Sequence, residues 1–250
     1  MISNSKIIAL LAVAAAAAGC GNATKPFPVE EFEAPEGGKV AITMVNHGSV
    51  ALSYKGFEIQ VDPVGSLQGK EIDYSGFPKA DLILVTHDHG DHLNADTVAS
   101  LSKDDTVVLC NPASHEILPS SQPMKNGETA SFKKNITVKA VPAYNISEGH
   151  TQFHPKGKGN GYLLNLGGLV IYIAGDTEDI PELSELKDID IAFLPVNQPY
   201  TMTSEQCIRA AKTIAPKVLI PYHLSDTDVA PILSGLFDSK IEVKLYDTLK

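Results

Sequence analysis

A short apolar run, Leu82-Ile83-Leu84-Val85, passes through Thr86 straight into His87-Asp88-His89-Gly90-Asp91-His92, and Leu93-Asn94 then opens a helical pattern. Three imidazoles and two carboxylates within six residues restrict this chain more than any other feature of it. A buried strand must end in a loop whose side chains converge, and Gly90 lets that loop turn tightly. Imidazole nitrogens and carboxylate oxygens are ligands for zinc and other first-row cations. The spacing admits two ions, with His87 and His89 able to reach one and Asp91 and His92 its neighbour. A merely solvated loop has no reason to concentrate these residue types at one strand end.

The N-terminus reads as a processing signal. Lys6 precedes an apolar stretch from Ile7 to Ala18 that closes on Gly19-Cys20, too short to cross a bilayer, which takes about 20 apolar residues. Its Ala-Ala-Gly-Cys ending resembles the lipobox of bacterial lipoproteins. That resemblance implies a leader over residues 1–19, lipid on the sulfur and amine of Cys20, and a place in the cell envelope. The anchored chain would sit on the outer side of the cytoplasmic membrane or on the outer membrane. Residues 20–38 carry Pro, Glu and Gly without an apolar period and are expected to form a flexible tether. Residues 39–250 are long enough to bury one sizeable core, and no linker divides them. The formal charge of −10 without a Lys/Arg cluster argues against nucleic acid as a partner and against a broad footprint on anionic lipid. Besides Cys20 there are only Cys110 and Cys207, so at most one disulfide is available, and their apolar surroundings favour packing.

Short β-rich runs at 40–45, 50–54, 57–61, 82–86 and 106–110 surround one helical pattern at 95–101. A second series at 136–141, 161–166, 169–174, 191–195, 218–221 and 241–246 is interleaved with helical spacing at 180–186, 204–214 and 229–236. Strands early in each half and helices later predict an α/β fold, two sheets back to back with helices outside, a four-layer αββα sandwich. The two halves are too dissimilar in sequence to read as a repeat.

The loop of His87, His89, Asp91 and His92 resembles the His-x-His-x-Asp-His signature of the metallo-β-lactamase superfamily, and two later segments agree. Tyr172-Ile-Ala-Gly-Asp176-Thr is similar to the strand end whose Asp bridges two metals there, and Leu219-Ile-Pro-Tyr-His223 to the segment bearing the last His ligand. Phe57-Glu-Ile-Gln-Val-Asp62-Pro63 resembles the early strand whose Asp supports the metal loop, which implies that Asp62 orients a ligand His without touching metal. One position departs from the pattern. Where the family offers a His, Val141-Pro-Ala-Tyr-Asn145 presents an amide, a poor ligand beside imidazole, and His154 or, failing it, His150 is expected to fill the gap. His47, in Asn46-His47-Gly48-Ser49, resembles a turn that the lactonase-like branch places near the metals. Tyr200 is expected at the pocket rim, with Thr203 capping the helix that follows.

The resemblance runs from about residue 40 to 250 and is nearest to the L-ascorbate-6-phosphate lactonase-like branch. It implies one or two divalent ions, zinc first, manganese or iron next, that acidify a water to a hydroxide nucleophile, with Asp91 and Asp176 catalytic. The expected reaction is hydrolysis of a small-molecule ester, lactone or phosphodiester. Asn145 also supports a second reading, a membrane-tethered metal- or ligand-binding protein of the same fold without turnover. A β-lactam substrate is disfavoured, because Asp91 and Asn145 depart from the pattern of the zinc enzymes that destroy such drugs. No Gly-x-Ser-x-Gly elbow or phosphate loop offers rival chemistry.

Overall fold

A computed structural model describes residues 27–250; the expected leader and the expected lipidation site at Cys20 lie outside the described residues. The first half forms β1 (Val29–Glu33), β2 (Lys39–Asn46), β3 (Ser49–Tyr54), β4 (Phe57–Val61), a small hairpin of β5 (Ser66–Leu67) and β6 (Lys70–Glu71), β7 (Leu82–Val85), α1 (Ala95–Leu101), β8 (Val107–Cys110), α2 (Pro112–Ile117) and β9 (Gln122–Pro123). The second half forms β10 (Thr129–Phe132), β11 (Ile136–Ala143), β12 (Gly159–Leu166), β13 (Leu169–Ile173), β14 (Ile191–Pro195), α3 (Ser204–Ile214), β15 (Val218–Tyr222), α4 (Ala230–Leu236) and β16 (Glu242–Val243).

Two seven-stranded sheets result, ordered β1-β2-β3-β4-β7-β8-β9 and β10-β11-β12-β13-β14-β15-β16. Their plans match. In each, four antiparallel strands lead into three that continue in parallel. The central parallel strands are buried along their whole length, β7, β14 and β15 without an exposed residue, which is why they read as continuous apolar runs.

Alternate residues face inward to make the core between the sheets: Val40, Ile42 and Met44 of β2 and Leu82 and Leu84 of β7 share one cluster with Tyr162 and Leu164 of β12 and Phe193 of β14. The opposite set turns outward under helices. Ile83, Val85 and Cys110 pack with Val98 and Leu101 of α1, and Tyr172, Leu194 and Leu219 with Cys207, Ala211 and Ile232 from α3 and α4. The layering is therefore the αββα sandwich that the element order predicts. Cys110 and Cys207 are free and buried in these two separate outer layers. Thr203 caps α3 in a reciprocal pair with Gln206: each backbone N–H donates to the other's side-chain oxygen, at 2.8 and 3.1 Å.

The tether expected over residues 20–38 is too long. Val29–Glu33 is paired in full with Thr43–Lys39, and the Glu30 carboxylate accepts from Lys244 Nζ and Tyr246 Oη at 2.8 Å each. Three Glu in five residues hide this edge strand from a search for apolar alternation. Two smaller corrections concern the second half: 180–186 forms one 3-10 turn, Pro181–Glu185, and of 241–246 only Glu242 and Val243 pair.

Candidate metal centre

Every residue of the centre stands at or beyond the C-terminal end of a strand, where open α/β sheets present their loops. Asp62 follows β4, His87 to His92 follow β7, Asp176 follows β13 and His223 follows β15, while His47 sits in the β2–β3 turn and His154 in the β11–β12 connection. The first sheet thus supplies Asp62 and the His87–His92 loop, and the second supplies His154, Asp176 and His223.

Asp62 is fully buried and receives three hydrogen bonds. Thr86 donates its backbone N–H and its hydroxyl, both at 2.7 Å, and His92 donates Nδ1–H at 2.8 Å. With its own hydrogen committed to Asp62, the Thr86 hydroxyl accepts from His87 Nδ1 at 3.0 Å. One carboxylate therefore fixes two imidazoles, His92 directly and His87 through Thr86, and leaves both Nε2 atoms pointing inward. The sequence foresaw Asp62 but not the Thr86 relay. Gly48 completes the seat of His92, since a Cβ there would lie 2.7 Å from the ring carbon Cε1; no larger residue fits without moving the ring.

The inward atoms converge. His92 Nε2 lies 3.3 Å from Asp176 Oδ1, and His223 Nε2 is 3.3 Å from both Asp176 Oδ2 and Asp91 Oδ2. His154 Nε2 is 3.3 Å from Asp176 Oδ2 and 3.3 Å from His89 Nδ1, and His87 Nε2 is 3.8 Å from Asp176 Oδ2. Two ligand pockets share Asp176: His87, His89, His154 and Asp176 form one, and His92, Asp176 and His223 the other. Asp91 and His47 join the second side, forming a group with His223 in which His47 Nε2 is 3.7 Å from Asp91 and its ring is 3.7 Å from that of His223.

The donor set fits a cation. His87 Nε2, His92 Nε2, His223 Nε2 and Asp176 Oδ1 are all buried and lack a hydrogen-bond partner, an arrangement that is costly unless a charge sits between them. Protonation states agree. Burial holds His87 and His223 below the usual imidazole range, so they offer lone pairs. Burial alone would raise Asp176, but His223, His92 and His154 around it hold it well below the usual carboxylate range. Asp91 likewise overcomes burial through His223 and His47 and stays ionised. His92 is the exception: burial lowers it, yet Asp176 and Asp62 together push it well up, so loading a cation there expels a proton.

Asn145 keeps its Oδ1 buried without a hydrogen-bond partner and spends its amide nitrogen on backbone carbonyls. Its Nδ2 donates to the Tyr200 carbonyl at 2.7 Å and, more weakly, to the His150 carbonyl at 3.3 Å. His154 instead joins His87, His89 and Asp176, and its Nδ1 donates to the same Tyr200 carbonyl at 2.9 Å. His150 instead faces Glu178 at 3.2 Å. The observation behind a binding-only protein thus loses its force, because three imidazoles and a carboxylate still converge in one group despite Asn145. The Tyr200 side chain is 45% exposed and crosses Phe153 edge to face at 5.0 Å, making an aromatic wall beside His154. His89 is exposed and Asp91 half-exposed, so the centre opens on their side.

A sandwich of two sheets with this shared-carboxylate group between their strand ends defines a candidate metalloenzyme. Residues 41–223 match the family model described as beta-lactamase superfamily domain. A UPF0173 metal-dependent hydrolase from Carboxydothermus hydrogenoformans is 33% identical over 216 residues, covering 80% of this chain and 91% of its own. One from Thermus thermophilus is 34% identical over 200 residues, covering 74% and 83%. The crystal structure of a candidate metal-dependent hydrolase from Parabacteroides distasonis superposes with a TM-score of 0.84 at 46% identity, over 88% of this chain and 99% of that one. The chain belongs to the metallo-β-lactamase superfamily, within its UPF0173 family of metal-dependent hydrolases.

Proposed function

We propose that the protein is a dinuclear hydrolase, zinc-loaded, that opens uncharged carboxylic esters or lactones from the cell envelope. The observation that carries the dinuclear reading is the set of buried, unpartnered Nε2 atoms and Asp176 Oδ1, split into two pockets that share one carboxylate. Bound divalent cations supply Lewis acidity toward the attacked carbonyl and acidify a water.

The chain's own groups do the rest. Asp62 and Thr86 hold the imidazoles in register, and Asp176 supplies the carboxylate common to both pockets. Phe153 and Tyr200 offer an apolar wall to the substrate arm and keep water off it. Two features favour an uncharged substrate over a phosphodiester. Arg209, the one arginine of the chain, is committed to Asp179 at 2.8 Å, and Lys156, two residues past His154, to Glu182 at 2.8 Å. The resemblance to the lactonase-like branch supports a lactone as the bond opened.

Metal content and turnover test this together. The purified full chain is expected to carry about two ions and His154→Ala about one. A chromogenic lactone or ester is expected to turn over faster than bis-p-nitrophenyl phosphate. One ion in both proteins would overturn the dinuclear reading, and a preference for the phosphodiester would overturn the substrate class.

The Ile7–Ala18 stretch before Gly19-Cys20 supports a lipoprotein leader and an anchor on Cys20. Cells fed labelled palmitate are expected to label this chain, and Cys20→Ser to abolish the label. Equal labelling of both would exclude Cys20 as the lipid site.

A further inference from the structure

Glu178 lies two residues past Asp176, is completely buried, and has no part in the chemistry described so far. Its Oε2 accepts the backbone N–H groups of Ile146 and Ser147 at 2.7 and 2.6 Å, and its Oε1 is 3.2 Å from His150 Nδ1. All three donors belong to the strap that leads from β11 to His154. The strap closes on itself where Asn145 N–H donates to the His154 carbonyl at 2.8 Å. It is joined to the Asp176 segment where Glu178 N–H and the Thr177 hydroxyl both donate to the Tyr144 carbonyl, at 3.0 and 2.9 Å. Apolar burial is confined to Phe153, half-buried against Tyr200, because Ile146 is 45% exposed and Gly149, Thr151 and Gln152 are exposed. A surface strap of this kind is ordinarily the first segment to open. Hydrogen bonds to an ionised carboxylate, roughly twice as strong as neutral ones, hold it instead.

We propose that Glu178, with Asn145, is a positioning residue that pins the 145–154 strap so that His154 presents Nε2 to Asp176 and His89. Asn145 reaches the Tyr200 carbonyl that also receives His154 Nδ1. The residue standing at the family's ligand place thus serves the histidine that replaces it. The metal arm of this proposal rests on the dinuclear reading above; the ordering of the strap does not.

The test has two readouts on the full chain: amide hydrogen exchange without metal, and Co(II) titration followed by visible absorbance. Glu178→Ala is expected to speed exchange across 146–154 by about tenfold or more while leaving α3 at the wild-type rate. It is expected to weaken one Co(II) site by about 10- to 100-fold and spare the other. Glu178→Gln, which keeps one acceptor oxygen, should recover part of both effects, and Asn145→Ala should weaken the same Co(II) site. Unchanged strap exchange in Glu178→Ala, or equal weakening of both sites, would overturn the proposal. If Glu178→Ala does not fold, Glu178→Gln and Asn145→Ala decide it by the same comparison. A wild-type chain that takes up no Co(II) would sink the dinuclear reading instead, and strap exchange would still decide the role of Glu178.

Discussion

Asp176→Ala is expected to lower kcat/KM by about 10³-fold or more and to leave the protein unable to retain two ions through dialysis. The carboxylate is the one group common to both ligand pockets, so its removal strips an anionic ligand from each at once. It also leaves the His92, His154 and His223 rings facing one another without the negative charge that lies 3.3 Å from each. Asp176→Asn separates charge from shape. The amide fills the same space, and its expected deficit is nearly as large, because a neutral group cannot balance the charge of two cations. The measurement is kcat/KM on whichever ester or lactone turns over, beside elemental analysis and circular dichroism to exclude misfolding. Activity within tenfold of wild type in a folded Asp176→Ala chain would mean that the reaction runs elsewhere.

The largest stability effect is expected at Asp62. Asp62→Ala removes the acceptor of three buried hydrogen bonds, from Thr86 N–H, the Thr86 hydroxyl and His92 Nδ1. Stranding buried donors costs about 1–3 kcal/mol each, and breaking a buried charged pair about 3–5 kcal/mol. The effects overlap, so a loss of about 3–5 kcal/mol is expected from urea unfolding of the metal-free protein. Asp62→Asn keeps one acceptor oxygen and should lose less. Because Asp62 sits at φ 46, Ala there is also mildly strained where Asn is not. A loss below about 1 kcal/mol would show that water replaces the carboxylate and that the imidazoles are held by something else.

Much of this site can be read from the chain because its parts are local. The His87–His92 loop is one uninterrupted segment, and Asp62, Asp176 and His223 each end a strand whose apolar run is plain in sequence. The harder parts are the nonlocal ones. Choosing His154 over His150 depends on how the strap folds back on Asn145 and on a backbone carbonyl at Tyr200, and a carbonyl carries no sequence signal. Glu178 looks like any surface acid until its partners 31 and 32 residues away are known. β1 was hidden by its Glu residues, and the shared plan of the two sheets by pairing that no residue pattern encodes. Gly48 matters only because His92 packs against it.

The ligands come from both sheets, while Cys110 and Cys207 lie in opposite outer layers where no disulfide can join the halves. Coordination is then the chemical cross-link between them. Because unfolding either half scatters the ligands, ion binding adds directly to folding free energy, about 4 kcal/mol when free metal stands at 1,000 times its Kd. The lifetime of the protein becomes a gauge of metal supply: in a metal-starved medium it is expected to be cleared by proteolysis as well as silenced.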